Sequence, residues 1–105
     1  MILINGVAAD SVAATDRGLA YGDGVFRTLL WRRGKPRWWP QQYRKLDHDC
    51  RALEIACPAE AVLVEELSRA ATESSDSAVK IIVTRGSGTR GYAPPQKTSP
   101  TRIVR

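Results

Sequence analysis

Histidine is nearly absent from this chain: His48 is the only one, and beside only two cysteines it makes no zinc set. Cys50 and Cys57 stand seven residues apart, two turns if one helix carried both, which is too far for a bridge along that helix. The expectation is two reduced, structural thiols in a cytoplasmic protein. No apolar run is long enough to span a membrane. Met1-Ile2-Leu3-Ile4 is broken at once by Asn5-Gly6, so it does not read as a signal peptide. There is no internal repeat, no long linker and no nucleophile-elbow motif to support Ser/His/Asp chemistry. Acidic residues are missing altogether from 80 to 105.

What remains is globular in character. With 105 residues, 43% hydrophobic and 26% charged, the chain has the size and content of one domain that buries a core unaided. The net charge of +5 is unevenly spread. Residues 27 to 51 hold eight Lys/Arg against two Asp, and residues 80 to 105 hold six Lys/Arg. Between them, residues 52 to 79 carry six acids and one arginine. Two basic zones around an acidic helix suit small anions better than a nucleic-acid duplex.

Local patterning predicts an order of elements. Met1 to Ile4 and Val7-Ala8 read as a hairpin turned by Asn5-Gly6. Asp16 to Gly24, with three glycines and two aspartates, reads as a loop. Val25 to Arg32 is apolar on both faces apart from Arg27 and reads as an interior strand. Gly34-Lys35-Pro36 turns the chain toward Trp38-Trp39, and Pro40 opens a helix with the stripe Tyr43, Leu46, Cys50 and Leu53. Pro58 opens a second helix that buries Leu63, Leu67, Ala70 and Ala71 and ends at Ser74 to Ser77. Val79 to Thr84 is a strand, residues 93 to 100 are irregular, and Thr101 to Arg105 is a strand that stops abruptly, as if cut in mid-architecture. The sum is an α+β domain, a mainly antiparallel sheet with two helices grouped on one side.

The segment richest in chemistry is Thr84 to Tyr92, where three glycines and two arginines follow a strand. Glycines let backbone approach a ligand and arginine forks match carboxylate or phosphate, so the segment reads either as an anion site or as a solvated hairpin turn. Its G-x-G-x-x-G spacing from Gly86 to Gly91 is weak support for a dinucleotide, because prolines rather than a helix follow. His48, between Asp47 and Asp49, reads as a solvated side chain rather than a general base. Trp38-Trp39 among arginines reads as core or interface packing before base stacking.

Four ordered blocks carry a resemblance. They are Ile4-Asn5-Gly6, Asp16 to Phe26 with its Asp-Arg-Gly and Gly-Asp-Gly, the Leu46, Cys50 and Leu53 stripe, and Thr84 to Tyr92. Together they resemble the N-terminal part of the fold-type-IV pyridoxal-phosphate enzymes, a group of branched-chain and D-amino-acid aminotransferases and aminodeoxychorismate lyases. The final loop is most similar to that of the lyases. The resemblance implies that residues 1–105 are the N-terminal domain of a two-domain homodimeric enzyme, whose C-terminal domain would carry the lysine that binds the cofactor. No catalytic residue and no metal ligand is then expected in this chain.

By resemblance, Lys45 stands where an arginine holds the pyridoxal 5'-phosphate group, with an i,i+4 surface pair to Asp49 as the plain alternative. Arg90 and Tyr92 match positions that reach the substrate carboxylate, and Phe26 stands where some relatives have a tyrosine. Gln42 occupies the place of a common histidine, and Arg27 that of a frequent glutamate. The implied activity is conversion of aminodeoxychorismate, a small dicarboxylate, to 4-aminobenzoate and pyruvate. The other readings are an aminotransferase N-terminal domain, and a non-enzymatic dimerisation or anion- or nucleic-acid-binding module.

Overall fold

The computed structural model describes residues 1–71, 76–88 and 99–105. In chain order the elements are β1 (Leu3–Ile4), β2 (Val7–Ala8), α1 (Arg17–Tyr21), β3 (Gly24–Arg32), β4 (Lys35–Pro36), α2 (Trp39–Ala52), α3 (Glu60–Ala70), β5 (Asp76–Thr84) and β6 (Thr101–Val104). The six strands form one antiparallel sheet in the order β2-β1-β6-β5-β3-β4. The α+β expectation stands. Its detail needs two corrections: there are three helices, and the segment read as a loop from Asp16 to Gly24 contains one of them.

The glycine-rich composition of that segment concealed its capping. Asp16 accepts a hydrogen bond from the Gly18 amide at 2.8 Å as N-cap, and Gly22 closes the turn with φ 65°. At the first hairpin, Asn5 (φ 51°) and Gly6 (φ 82°) both take the left-handed conformation that a two-residue primed turn demands.

Registration of the strands divides the sheet into two faces. On one, Leu3, Val104 and Ile81 lie in a row that ends at Arg27 of β3. On the other, Ile4, Ile103 and Ile82 lie in a row that ends at Phe26. The first face carries α2 and α3. Leu46 and Cys50 of α2 and Leu63 and Leu67 of α3 pack there with Leu3, Leu29, Trp31, Val79, Ile81, Val83 and Val104. Fully burying each such side chain contributes about 1.5–3 kcal/mol.

The second face carries only the short α1 at the end of β5, so β3, although interior in the strand order, is not buried on both faces. Phe26 is 59% and Leu30 46% exposed, while Leu29 and Trp31 are buried. β4 pairs only with Trp31 and Arg32, leaving the rest of that edge of β3 without a strand.

The α2 stripe holds at Tyr43, Leu46 and Cys50, but Leu53 at the C-cap is 39% exposed. Here the helix ends and the chain doubles back, which brings Cys57 against Tyr43 and Cys50. Both thiols are free, and burial pushes Cys50 up to about 12. Cys50 is buried and Cys57 half-buried, and both pack with the core. Tyr43 donates to the Pro58 carbonyl at 2.8 Å and so joins the two long helices.

Two polar ties fasten α3 to the sheet. Glu66, 2% exposed, takes a two-pronged contact from Arg102 of β6, with Nε at 3.0 and 2.9 Å from its carboxylate oxygens and Nη2 at 2.8 Å. Arg69 donates to the Gly6 carbonyl at 3.1 Å. Among the described residues no helix is long and apolar enough to cross a membrane.

Candidate active site

The Asp-Arg-Gly and Gly-Asp-Gly blocks form a clamp at one end of the sheet. Arg17 is 2% exposed and donates from Nε to Asp23 Oδ2 at 2.9 Å. Arg85 donates from Nε to the same oxygen at 2.8 Å. It also donates from Nη2 to the Leu53 carbonyl at 2.7 Å and from Nη1 to that of Glu54 at 3.4 Å, closing the C-terminus of α2. The Arg85 hydrogen bond, aided by that of Arg17, holds the Asp23 carboxyl below its ordinary range against the opposing effect of burial. Asp16 accepts from Thr84 Oγ1 at 3.2 Å, and its backbone bridges Ser87. A Cβ on Gly18 would come within 2.2 Å of the Thr84 side chain, so α1 seats on β5 only with glycine there.

Arg85 is thereby committed to the fold. Of the two arginines that suggested an anion site, it is the one whose fork is already filled. The second, Arg90, lies outside the described residues, as does Tyr92.

The clamp forms one wall of a groove on the open face of the sheet, about 420 Å³ in volume. Val12 and Leu19 rim it, Val25, Phe26, Ile82 and Ile103 line it, and Asp16 and Thr84 supply polar atoms. The wall is mostly apolar, as suits a planar ring with a few polar substituents. Phe26 presents its ring there, with the Lys80 ammonium 4.6 Å from the ring centroid.

Lys45 lies elsewhere, on α2. It is half-exposed and pairs with Asp49 at 3.1 Å, the surface contact named as its alternative. One turn earlier Gln42 accepts from Arg27 Nε at 2.8 Å. Arg27, Gln41, Gln42 and Trp38 line a second cleft of about 270 Å³ between α2 and β3. The structure thus puts Phe26 on the open face and Arg27 on the helix face, with Gln42 and Lys45 on the adjoining helix. His48 is three-quarters exposed beside Asp49, a solvated side chain as expected. Trp39 packs against the core and donates to Glu60 at 3.0 Å, whereas Trp38 is 62% exposed with Arg37 stacked on its ring. Among the described residues no group of His, Cys, Asp and Glu is placed to hold a metal ion.

The pattern of the family amino-transferase class IV matches residues 24–105. This chain belongs to that family. The class IV chain is 43% identical, over its whole length and 38% of the other's, to the crystal structure of 4-amino-4-deoxychorismate lyase from Pseudomonas aeruginosa, with a TM-score of 0.88. An aminodeoxychorismate lyase from Vibrio harveyi is 29% identical over 94 residues, 90% of this chain and 35% of that one. A hypothetical aminotransferase from Mycobacterium tuberculosis, solved with pyridoxal phosphate bound, shares the fold at TM-score 0.80 and 23% identity, over 100% of this chain and 38% of its own. The class IV chain therefore spans somewhat over a third of the length of these relatives.

A phosphorylated cofactor fits the donor set. Lys45 lies three residues after Gln42 on α2, and Arg27 of β3 donates to Gln42 itself; a phosphate dianion wants such charge-assisted donors. Sequence reasoning missed the Arg17–Asp23–Arg85 clamp, although two aspartates and an arginine in a segment read as a turn were a signal of it. It noted Arg27 and Gln42 only as departures; the structure joins the two by a hydrogen bond.

Proposed function

We propose that this chain is the N-terminal part of a pyridoxal-phosphate-dependent aminodeoxychorismate lyase, converting aminodeoxychorismate to 4-aminobenzoate and pyruvate in the supply of folate precursors. The observation that carries the reading is the 43% identity, spanning the whole chain, to the Pseudomonas aeruginosa lyase. The enzyme acts as a cytoplasmic homodimer, with the cofactor-binding lysine in a following C-terminal domain.

When bound, the cofactor supplies an electron sink for the reacting amine. The chain's own residues do the placing. Val25, Phe26, Ile82 and Ile103 give the substrate ring an apolar wall that keeps water from it. Arg90 and Tyr92, which follow β5 in the sequence, receive the substrate carboxylates; a charged group in a water-poor cleft needs donors of that kind. The clamp at Asp23 fixes the residue that leaves β5, since Arg85 follows that strand directly. Lys45 on α2 and Arg27 on β3 are the cations of this chain that would hold the cofactor phosphate.

The test is turnover by the full-length protein with pyridoxal phosphate present. Release of 4-aminobenzoate and pyruvate from aminodeoxychorismate supports the lyase. Amino transfer from branched-chain or D-amino acids to a keto acid, with no 4-aminobenzoate, would replace it by an aminotransferase. Light scattering that gives a monomer mass would remove the homodimer.

A further inference from the structure

Four cations crowd the hairpin at the far end of β3. Arg32, Arg33, Lys35 and Arg37 line one cleft of about 470 Å³ together with Asp76. A cavity of that size takes a small ligand. Arg32 stands about 20 Å along the strand from Phe26, so the cleft is remote from the groove on the open face.

The empty hairpin is electrostatically unfavourable. Arg32 and Lys35 are direct cross-strand partners, and like charges so placed repel. The turn between them is left-handed at Arg33 (φ 53°) and Gly34 (φ 78°), which puts an arginine where asparagine or glycine is preferred. The ion pair at this cleft, Arg32 Nε to Asp76 Oδ2, spans 3.8 Å between two exposed side chains, against 2.8 or 2.9 Å for the pairs of Asp23 and Glu66. Among the described residues Arg33, Lys35 and Arg37 form no ion pair. Arg37 is nevertheless held in place. Its guanidinium lies 4.4 Å from the centroid of the Trp38 ring, and its amide donates to the Leu30 carbonyl at 2.8 Å.

Four cations against one carboxylate leave the cleft with an excess of positive charge that a bound anion would relieve. A phosphate monoester brings at most about two negative charges, whereas a di- or triphosphate brings more and offers several edges to arginine forks. A nucleic-acid strand fits less well, because the cations converge on one cleft and Arg37 already covers one face of the exposed Trp38 ring.

We propose that the β3–β4 hairpin is a polyphosphate site, in which Arg32, Arg33, Lys35 and Arg37 hold the di- or triphosphate group of a nucleotide or of an inorganic polyphosphate.

The experiment is calorimetric titration of the full-length protein, saturated with pyridoxal phosphate so that any site for that cofactor is filled. The probes are inorganic tripolyphosphate, ATP, orthophosphate and a single-stranded oligonucleotide. Tripolyphosphate and ATP are expected to bind at least about tenfold more tightly than orthophosphate. Arg33→Gln combined with Lys35→Gln should weaken both about ten- to a hundredfold, and Arg37→Gln alone about three- to tenfold. ATP binding more tightly than tripolyphosphate would support the site with a nucleotide as its ligand; equal affinities would support it with the phosphate chain alone. The double variant also relieves the repulsion at Arg32, so its melting temperature without ligand should be no lower than that of wild type. Absence of binding by both polyphosphates, or affinities unmoved in the variants, would overturn the proposal. Orthophosphate binding as tightly as tripolyphosphate would reduce the cleft to a general anion surface. An oligonucleotide that binds about tenfold more tightly than ATP would replace the small ligand with a nucleic acid. If the double variant does not fold, Arg37→Gln decides between the same outcomes.

Discussion

One oxygen, Asp23 Oδ2, receives two guanidiniums, and two segments distant in sequence meet there. The carboxyl is held below its ordinary 3.8, so its stabilising effect is complete above that value and is lost as pH falls through the lower, folded-state value. Asp23→Asn leaves Arg17 and Arg85 facing an amide, and the expected loss is about 3–5 kcal/mol in urea unfolding at neutral pH. The gap between wild type and variant should close on acidification below 3.8. An equal gap at all pH values would show that the amide fails for reasons of shape rather than charge. Asp23, Arg17 and Arg85 were all visible in the sequence as charged residues beside glycines. Nothing in their spacing said that they would share an atom, because ion pairing across 62 positions is a product of the fold. Arg27 was hidden for the opposite reason: it interrupts an apolar series, and only the register of β3 against β5 reveals which neighbours it interrupts.

Periodicity served the long elements well. The α2 and α3 stripes rest on i, i+3 and i+4 spacing that tertiary contacts reinforce, and β5 rests on an unbroken apolar run. It failed for α1, whose five residues are too few to show a period and which depends on the Asp16 cap and the Gly18 approach to Thr84. It also misjudged β3, where an apolar outer face was taken as a sign of burial. The attachment of α3 is a further matter that pattern does not show. Glu66 stands among buried leucines and is 2% exposed because Arg102 answers it. Glu66→Ala is expected to cost about 3–5 kcal/mol by stranding that arginine, whereas Glu66→Met with Arg102→Leu should come within about 1 kcal/mol of wild type. Chemical denaturation of the two single variants and the double variant measures this. A double variant as unstable as the sum of the singles would mean that the pair does more than neutralise itself.

Across the whole molecule, apolar side chains are distributed on two faces but buried on one. Val12, Leu19, Phe26 and Leu30 remain exposed, several of them around the groove. Contiguous apolar surface of this kind marks a face that meets something else. The 105-residue chain by itself is expected to bind an environment-sensitive dye such as anilinonaphthalene sulfonate and to associate as its concentration rises. The full-length protein, in which the proposed second domain meets this face, should bind little dye and should not associate beyond the proposed homodimer. Equal dye binding by both would show that the face stays open in the complete protein.

The position of β6 has a consequence for how the molecule comes into being. Residues 101–104 lie between β1 and β5, so the first hairpin is joined to the rest of the sheet only through them. During synthesis the opening residues leave the ribosome with their proper neighbour still unmade. At about 5–20 residues per second, the hairpin waits roughly 5–20 seconds for it. An isolated two-stranded hairpin is barely stable in water, so for that interval residues 3–8 stay unstructured and open to chaperones. The sheet then closes from its middle outward, with β1 and β2, made before its other strands, among the last to be secured.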